Sequence, residues 1–311
     1  MSRLSELSSS PMLREYAQGA AQEAINPVAE FLAPTVPVAT SVGRYKVYTE
    51  KNRFHIPKTL RGLGGRATEL SFAVTDSTYN CAPHALDFPV DNLEQLEASG
   101  LENTLQEGAT LVAEVAGLAH EKLVIDTALA AVPEANKSTL AFLNSSNDVV
   151  NSIDGMILNT IKAAKYGSLM GVGVLFGATA YKLFKNAPSV RSRFVTAATP
   201  AFPNITPDVA SSLLLGSPDV RVSYMVYDDA AEGVAADMKF ILDTSVLVFA
   251  RKPQPTRRDP SFMKTFRLTG NFMVPGSYMR EDGRAEVAKY DWSEDVRVTN
   301  SPAVYQLTAT D

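Results

Sequence analysis

Cys81 and His84 come closest in the sequence to a pair of metal ligands, because they form a C-x-x-H motif. A structural zinc site takes four ligands, usually in two paired clusters of cysteine and histidine. Cys81 is the only cysteine, and the other histidines, His55 and His120, lie elsewhere in the sequence. We therefore expect no metal site and interpret Cys81 as a small buried side chain.

Residues 120–126, HEKLVID, begin like the H-E-x-x-H motif of zinc metalloproteases but lack its second histidine. Lys122 and Asp126 in this segment are four residues apart, the spacing at which side chains meet on a helix. The helix predicted below places them within an apolar stripe, where an unpaired charge is costly. We expect Lys122 and Asp126 to pair with each other or with a charge on another element.

Two glycine-rich segments could hold a nucleotide phosphate. Residues 171–177, GVGVLFG, partly match a dinucleotide-binding loop, but their glycines lie within an apolar, strand-like run. Residues 61–66, RGLGGR, lack the lysine and following hydroxyl of a P-loop in register. We interpret both segments as close backbone packing or loop flexibility. The alternative, a nucleotide-using α/β enzyme, predicts saturable nucleotide binding that Gly173→Val abolishes.

No serine, histidine and aspartate have the sequence context of a nucleophile elbow, and three histidines leave few places for a general base. The sequence therefore predicts a protein that is not an enzyme and uses no cofactor.

The composition is that of an ordinary globular chain. Its 311 residues, 45% of them hydrophobic, are enough for one large core or two smaller ones. A single cysteine excludes intramolecular disulfides. We expect no secretory signal and no membrane span, because the N-terminus lacks an apolar run and residues 167–180 are too short to cross a bilayer. The net charge of −5 argues against a dedicated DNA-binding domain.

Charge is distributed unevenly along the sequence. Residues 44–66 carry a local charge of +6, and residues 91–126 carry −7. The cations of the first segment are Arg44, Lys46, Lys51, Arg53, Lys58, Arg61 and Arg66. The basic segment could bind nucleic acid, although Phe54 is the one aromatic residue in its central part. It could instead lie on the acidic segment of an identical neighbour, a head-to-tail contact that generates rings and shells. A third interpretation is a solvated surface without a partner, because runs of one charge sign are common on protein surfaces. We favour the contact with a neighbour.

Residues 91–131 are predicted to form one long helix, or a helix interrupted once near Gly100, that ends before Pro133. Its predicted buried stripe consists of Leu105, Leu111, Val112, Val115, Leu118, Ala119, Leu123, Ile125 and Leu129. Glu107, Glu114 and Glu121, seven residues apart, are predicted to line the opposite, exposed face. We expect this row of acids, with Lys122 and Asp126 beside it, to contact another subunit.

The other elements surround this helix. Residues 1–40 are predicted to form an arm, with a short helix at 13–32 and extended chain after it. Alternating residues predict a strand near Tyr45 and another near Phe72, joined by the long basic tip, and a third extended run leads into the helix. Residues 135–251 alternate helix and strand, including a helix capped by Thr206. Residues 252–311 return to extended chain.

The order of these segments resembles the major capsid proteins of tailed bacteriophages, whose fold is shared with herpesvirus capsid floors and encapsulins. The similar segments are PTVPV at 34–38, GRYKVY at 43–48, the basic loop, TYNC at 78–81 and the acidic helix. The later segments GVGVLFGATAYKLFKNAPSVRSRF, ITPDVASSLL, VRVSYMVYD and ILDTSVLVFA continue the resemblance, which covers about residues 25–255.

The resemblance implies an α+β fold divided into five parts. These are an N-terminal arm (1–40), an extended hairpin loop (41–80), a peripheral domain with the long spine helix (81–134), an α/β axial domain (135–251) and C-terminal strands (252–311). The C-terminal strands are expected to complete the peripheral domain or to form an added subdomain.

The resemblance also implies a structural protein of the virion, made in the host cytoplasm. Hexamers and pentamers would assemble into an icosahedral shell around double-stranded DNA, which they would contact non-specifically. Separate scaffold, portal and decoration proteins are the implied partners. The alternatives are an encapsulin-like compartment that holds a cargo enzyme and a phage tail component.

Overall fold

The computed structural model describes residues 27–48, 59–60, 66, 69, 74–93, 101–164, 171–194, 205–231, 233–252, 254–256, 259, 261–269 and 274–311. These residues form an α+β fold, as predicted, with two five-stranded sheets and two small hairpins. The helices are α1 (Pro27–Leu32), α2 (Leu101–Ala131), α3 (Val149–Ala164), α4 (Ala178–Asn186), α5 (Pro188–Phe194) and α6 (Pro207–Leu213).

The first sheet, here called the peripheral sheet, is built on one long strand. Its members are β1 (Thr35–Val38), β4 (Ala82–Asp91), β11 (Met263–Leu268), β12 (Val274–Met279) and β13 (Ala285–Val298). β13 pairs antiparallel with β4, β11 and β12, and β1 adds to β11 in parallel. Strands from both ends of the sequence therefore meet in this sheet.

The second sheet, here called the axial sheet, is covered on both faces. Its order is β5 (Lys137–Ala141), β14 (Val304–Thr310), β10 (Ser245–Arg251), β6 (Gly171–Phe176) and β7 (Asp219–Val222). On one face Val174 and Val248 pack against α3, α4, α5 and α6. On the other, Leu175 and Leu247 pack against α1 and the C-terminal part of α2. The second core therefore joins the axial sheet to the long helix.

Two antiparallel hairpins complete the described fold. β2 (Val42–Tyr48) pairs with β3 (Val74–Asn80), and β8 (Val226–Asp228) pairs with β9 (Met238–Phe240). The predicted strand near Tyr45 is confirmed. Its predicted partner strand is described from Val74 onward, and residues 70–73 lie outside the described part of the chain.

The buried face of the long helix α2 is rotated from the predicted stripe. Asp91 ends strand β4 and so lies outside a helix, contrary to the prediction, whereas Asn92 and Leu93 are helical. Residues 94–100 lie outside the described part of the chain, and α2 is described from Leu101 onward. Leu111, Val115 and Leu123 are exposed, contrary to the prediction. Small residues take their place at the interface: Gly108 lies so close to the Phe88 ring that an added Cβ would come within 2.5 Å of it. Close packing against the peripheral sheet selects these small side chains over the leucines.

The helices predicted within residues 135–251 are confirmed, and so is the predicted cap at Thr206. Asp148 accepts a hydrogen bond from the backbone amide of Asn151 at the start of α3, and this contact lowers the pKa of its carboxyl group. Thr206 caps α6 through its hydroxyl, which accepts a hydrogen bond from the Val209 amide.

The strands of the C-terminal residues 252–311 divide between the two sheets. β14 lies in the axial sheet, whereas β11, β12 and β13 lie in the peripheral sheet. The division into five domains stays a prediction.

Candidate interaction surfaces

The predicted basic surface is described only in part. Arg44 on β2 and Arg66 are exposed, and Leu60 in the same segment is 97% exposed. The other predicted cations cannot be placed on this surface. The side chain of Lys46 lies outside the described part of the structure, and so do the whole residues Lys51, Arg53, Lys58 and Arg61. A contact of this segment with another subunit stays a prediction.

The acidic row predicted on α2 is wrong at one of its three positions. Glu107 and Glu114 are exposed, but Glu121 is fully buried. Two causes combine here. A seven-residue spacing drifts by about 20° per heptad on a straight helix, and α1 packs over this part of α2, as part of the core that joins them. Glu121 is therefore not part of an exposed acidic face.

Glu121 carries an unusual carboxyl group as a result. Neither of its oxygens accepts a hydrogen bond from the residues that the structure describes. Burial raises its pKa to about 7, and the nearby Ala29 amide of α1 opposes this rise without reaching hydrogen-bond geometry. An unpaired carboxylate in such a place is costly, so the group favours its protonated form.

The predicted pairing of Lys122 with Asp126 is confirmed, because their Nζ and Oδ2 atoms are 2.8 Å apart. Their predicted position within the buried apolar stripe of the helix is wrong, since both side chains are substantially exposed. The hydrogen bond to Asp126 raises the pKa of Lys122, and the ammonium group lies 4.4 Å from the centre of the Tyr227 ring. Solvent screening makes such an exposed pair a weak contribution to stability.

A buried ionic cluster joins α2 to the peripheral sheet, and it was not predicted. His120 Nδ1 and Arg267 Nε each lie 3.0 Å from a different carboxylate oxygen of Glu294 on β13. Burial alone would raise the pKa of Glu294, but the hydrogen bonds and charges of His120 and Arg267 outweigh it and set the pKa at about 2. The sequence signal for this cluster was Glu294, a charged residue at an inward-facing position of β13.

A second buried ion pair also involves strand β11. Lys264 Nζ on β11 donates to the carbonyl oxygens of Thr256 and Asp259, and it is 3.2 Å from the Asp259 carboxylate. Burial lowers the pKa of Lys264, and Asp259 opposes this shift. The described contacts saturate the ammonium group, which indicates a structural role in holding the loop before β11.

The residues considered for metal or nucleotide chemistry have structural surroundings. The Cys81 thiol is buried and lies 3.5 Å from the carbonyl oxygen of Phe266, and His84 stacks on Trp292. No three potential metal ligands lie together in the part of the chain that the structure describes. A Cβ on Gly173 would come within 3.0 Å of the Phe31 and Phe249 rings, so this glycine allows close packing of α1 on the axial sheet.

The β8–β9 hairpin exposes an apolar face that sequence reasoning missed. Tyr224, Val226, Met238 and Phe240 are all exposed, and Val226 lies opposite Phe240 in the hairpin register. The intervening Met225 and Tyr227 pack on the core between α2 and the axial sheet. The alternation of residues in VRVSYMVYD predicts a strand with two unlike faces. It does not predict which of the two faces other elements cover.

No described helix is long and apolar enough to cross a membrane.

Comparison with known proteins identifies the fold. No family model and no curated protein matches the sequence. Among solved structures, a phage-related protein from Bordetella bronchiseptica has a TM-score of 0.70 at 17% identity, covering 96% of this chain and 97% of that one. The mature capsid of bacteriophage PhiM1 has a TM-score of 0.56 at 10% identity, covering 91% and 87%.

A third similar structure comes from a different kind of shell. The encapsulin complex from Synechococcus elongatus has a TM-score of 0.55 at 11% identity, covering 92% of this chain and 88% of that one. The similarity in fold to phage capsid and encapsulin structures thus extends over more than nine-tenths of this chain. The chain has the major capsid protein fold of tailed bacteriophages, which encapsulins share.

Proposed function

We propose that this protein is the major capsid protein of a tailed phage, a structural subunit without enzymatic activity. It assembles as hexamers and pentamers into an icosahedral shell that encloses packaged double-stranded DNA. The observation that carries the proposal is the similarity in fold to phage capsid structures over more than nine-tenths of the chain. The shell forms in the host cytoplasm and becomes part of the virion.

The charge of the protein fits this role. A strongly basic inner wall would hold DNA through many phosphate contacts and would slow packaging and release. A net charge of −5 avoids such retention and fits weak, non-specific contacts with the packaged DNA. A separate scaffold protein, a portal and decoration proteins are the expected partners during assembly.

Electron microscopy of the concentrated protein, alone and co-expressed with a scaffold protein, tests the proposal. We expect closed shells of uniform size. A chain that stays monomeric under all these conditions overturns the proposal. Tubes instead of closed shells would favour a phage tail component.

The second candidate is an encapsulin-like compartment, and similarity to the Synechococcus elongatus encapsulin supports it. Shells purified from the native host separate the two functions. Nuclease-protected DNA of constant length supports the phage capsid. A co-purified enzyme carrying a C-terminal targeting tail supports the compartment.

We further propose that the basic segment of one subunit lies on α2 of its neighbour. Glu107 and Glu114 are exposed there, and Arg44 and Arg66 are exposed on the basic segment. Charge reversal at Arg53, Lys58 and Arg61 should impair assembly without changing the melting temperature of the subunit. Reversal of Glu107 and Glu114 in the same chain should restore assembly. Unchanged assembly in the first variant would remove this contact from the proposal.

A further inference from the structure

The exposed face of the β8–β9 hairpin is apolar over both strands. Tyr224 and Met238 are 62% and 59% exposed, and Val226 and Phe240 beside them are exposed as a cross-strand pair. The other face of the hairpin is anchored, because Met225 and Tyr227 pack on the core between α2 and the axial sheet. A two-stranded hairpin that presents large apolar side chains on a fixed support is typical of an interaction surface.

The hairpin is also acidic towards its tip. Residues 224–240 carry four acids and one lysine. That lysine, Lys239, is 2.5 Å from Asp229 and 3.1 Å from Asp237. A partner for this surface must therefore combine cations with side chains that can cover apolar area.

The opposite face of the axial sheet carries such a surface on α4 and α5. Residues 178–194 contain four cations and no acid. Lys182, Arg191 and Arg193 are exposed, and among the described contacts one acid, Asp148, pairs with Arg193. Lysine and arginine stems cover apolar surface with their methylene groups, and a guanidinium group stacks on aromatic rings such as that of Tyr224.

We propose that the β8–β9 hairpin of one subunit docks on the α4–α5 surface of a second copy of this chain. The two surfaces have complementary charge, since residues 224–240 carry a net charge of −3 and residues 178–194 carry a net charge of +4. The two surfaces lie on opposite faces of one sheet, because α4 and α5 belong to one core and the hairpin to the other. Each subunit thus offers one copy of each surface, and contacts between unlike surfaces propagate head to tail, which produces a ring when the rotation between neighbouring subunits closes.

This contact rests on the proposed function, since a ring of subunits is what a shell requires. It adds a second contact to that of the basic segment, and it uses different residues. The two contacts can therefore be removed separately.

Two double variants and a control test the docking. The hairpin variant is Tyr224→Ser with Met238→Ser, and the helix variant is Lys182→Glu with Lys185→Glu. The control changes another exposed apolar residue and another exposed lysine, Leu143→Ser with Lys162→Glu. Thermal unfolding and circular dichroism establish that each subunit is folded, and light scattering with mass photometry measures assembly against protein concentration.

We expect each double variant alone to raise the concentration for half-maximal assembly at least tenfold, and the control to behave as the wild type. An equimolar mixture of the two variants should form heterodimers, because one intact hairpin meets one intact α4–α5 surface, but no closed shells. Wild-type assembly by either variant overturns the docking while leaving the proposed function standing. So does an equal loss in the control. A wild-type chain that never assembles overturns both.

Discussion

Glu121 offers a direct test of the packing between α1 and α2. Its side chain is 0% exposed, and neither oxygen has a hydrogen-bond donor among the described residues. Replacement by methionine keeps the length and volume of the side chain and removes the ionisable group. We therefore expect Glu121→Met to stabilise the protein at neutral and alkaline pH.

The size of the effect follows from the pKa. Burial raises the pKa of Glu121 from its ordinary 4.5 to about 7. At about 1.4 kcal/mol per pKa unit, this rise corresponds to about 3 kcal/mol. Because the folded state holds the proton more tightly than the unfolded state, the contribution to stability is fully present below pH 4.5. It is lost as the pH rises to about 7.

Urea unfolding at a series of pH values from 5 to 8.5 measures this loss. Trp292 is the single tryptophan, and it packs against Val112, Ala113 and Ala116 of α2, so its fluorescence reports on this region. The stability advantage of Glu121→Met over the wild type should grow by about 2 to 3 kcal/mol across this range. The control is Glu114→Met, one heptad earlier on the same helix but exposed.

Glu114→Met should change stability by less than about 0.5 kcal/mol, with no pH dependence over this range. A Glu121→Met advantage that does not vary with pH would refute the reasoning, since it would mean that the carboxyl group is paired or hydrated in the folded protein. A destabilised variant at pH 8 would refute it as well.

Three further predictions concern the stability of the subunit. Glu294→Gln should cost about 3 kcal/mol in urea unfolding, because it leaves a buried cation without its counter-charge; in the wild type the same contribution should fade as the pH falls from about 4.5 to about 2. Gly173→Val should destabilise by about 1 to 3 kcal/mol, since the added atoms meet Phe31 and Phe249; a variant with an unchanged melting temperature would contradict the observed packing. Thr206→Ala should cost about 1 kcal/mol through loss of the α6 cap, and an unchanged thermal midpoint would argue against that hydrogen bond.

The long helix illustrates how far sequence patterns can predict this fold. Its existence was predictable from the helical spacing of its apolar residues, and its end was predictable from Pro133, because proline cannot continue a helix. Its buried face was not, because large apolar residues dominate any sequence estimate of a buried stripe. At this interface the backbone of α2 approaches the peripheral sheet closely, so Gly108 and Ala113 are buried while Leu111 is exposed.

The interaction surfaces depend on contacts that sequence spacing does not contain. Glu121 is buried because α1, about ninety residues earlier in the sequence, packs over it. His120 meets Glu294 across 174 residues. The hairpin face was undetectable for a related reason: the alternation of Tyr224 and Val226 predicts two faces, but which of them is covered depends on the position of α2.

The pairing of β5 with β14 has a consequence for biosynthesis. The described residues give β5 no strand neighbour other than β14, and Ser138 donates to the Gln306 carbonyl across 168 residues. While the ribosome is still translating the intervening residues, β5 and one edge of β10 lack their partner strand. Unpaired edges of this kind recruit other chains, so nascent subunits crowded on one polysome risk aggregation until β14 emerges. Productive yield should therefore depend on chaperone capacity during translation.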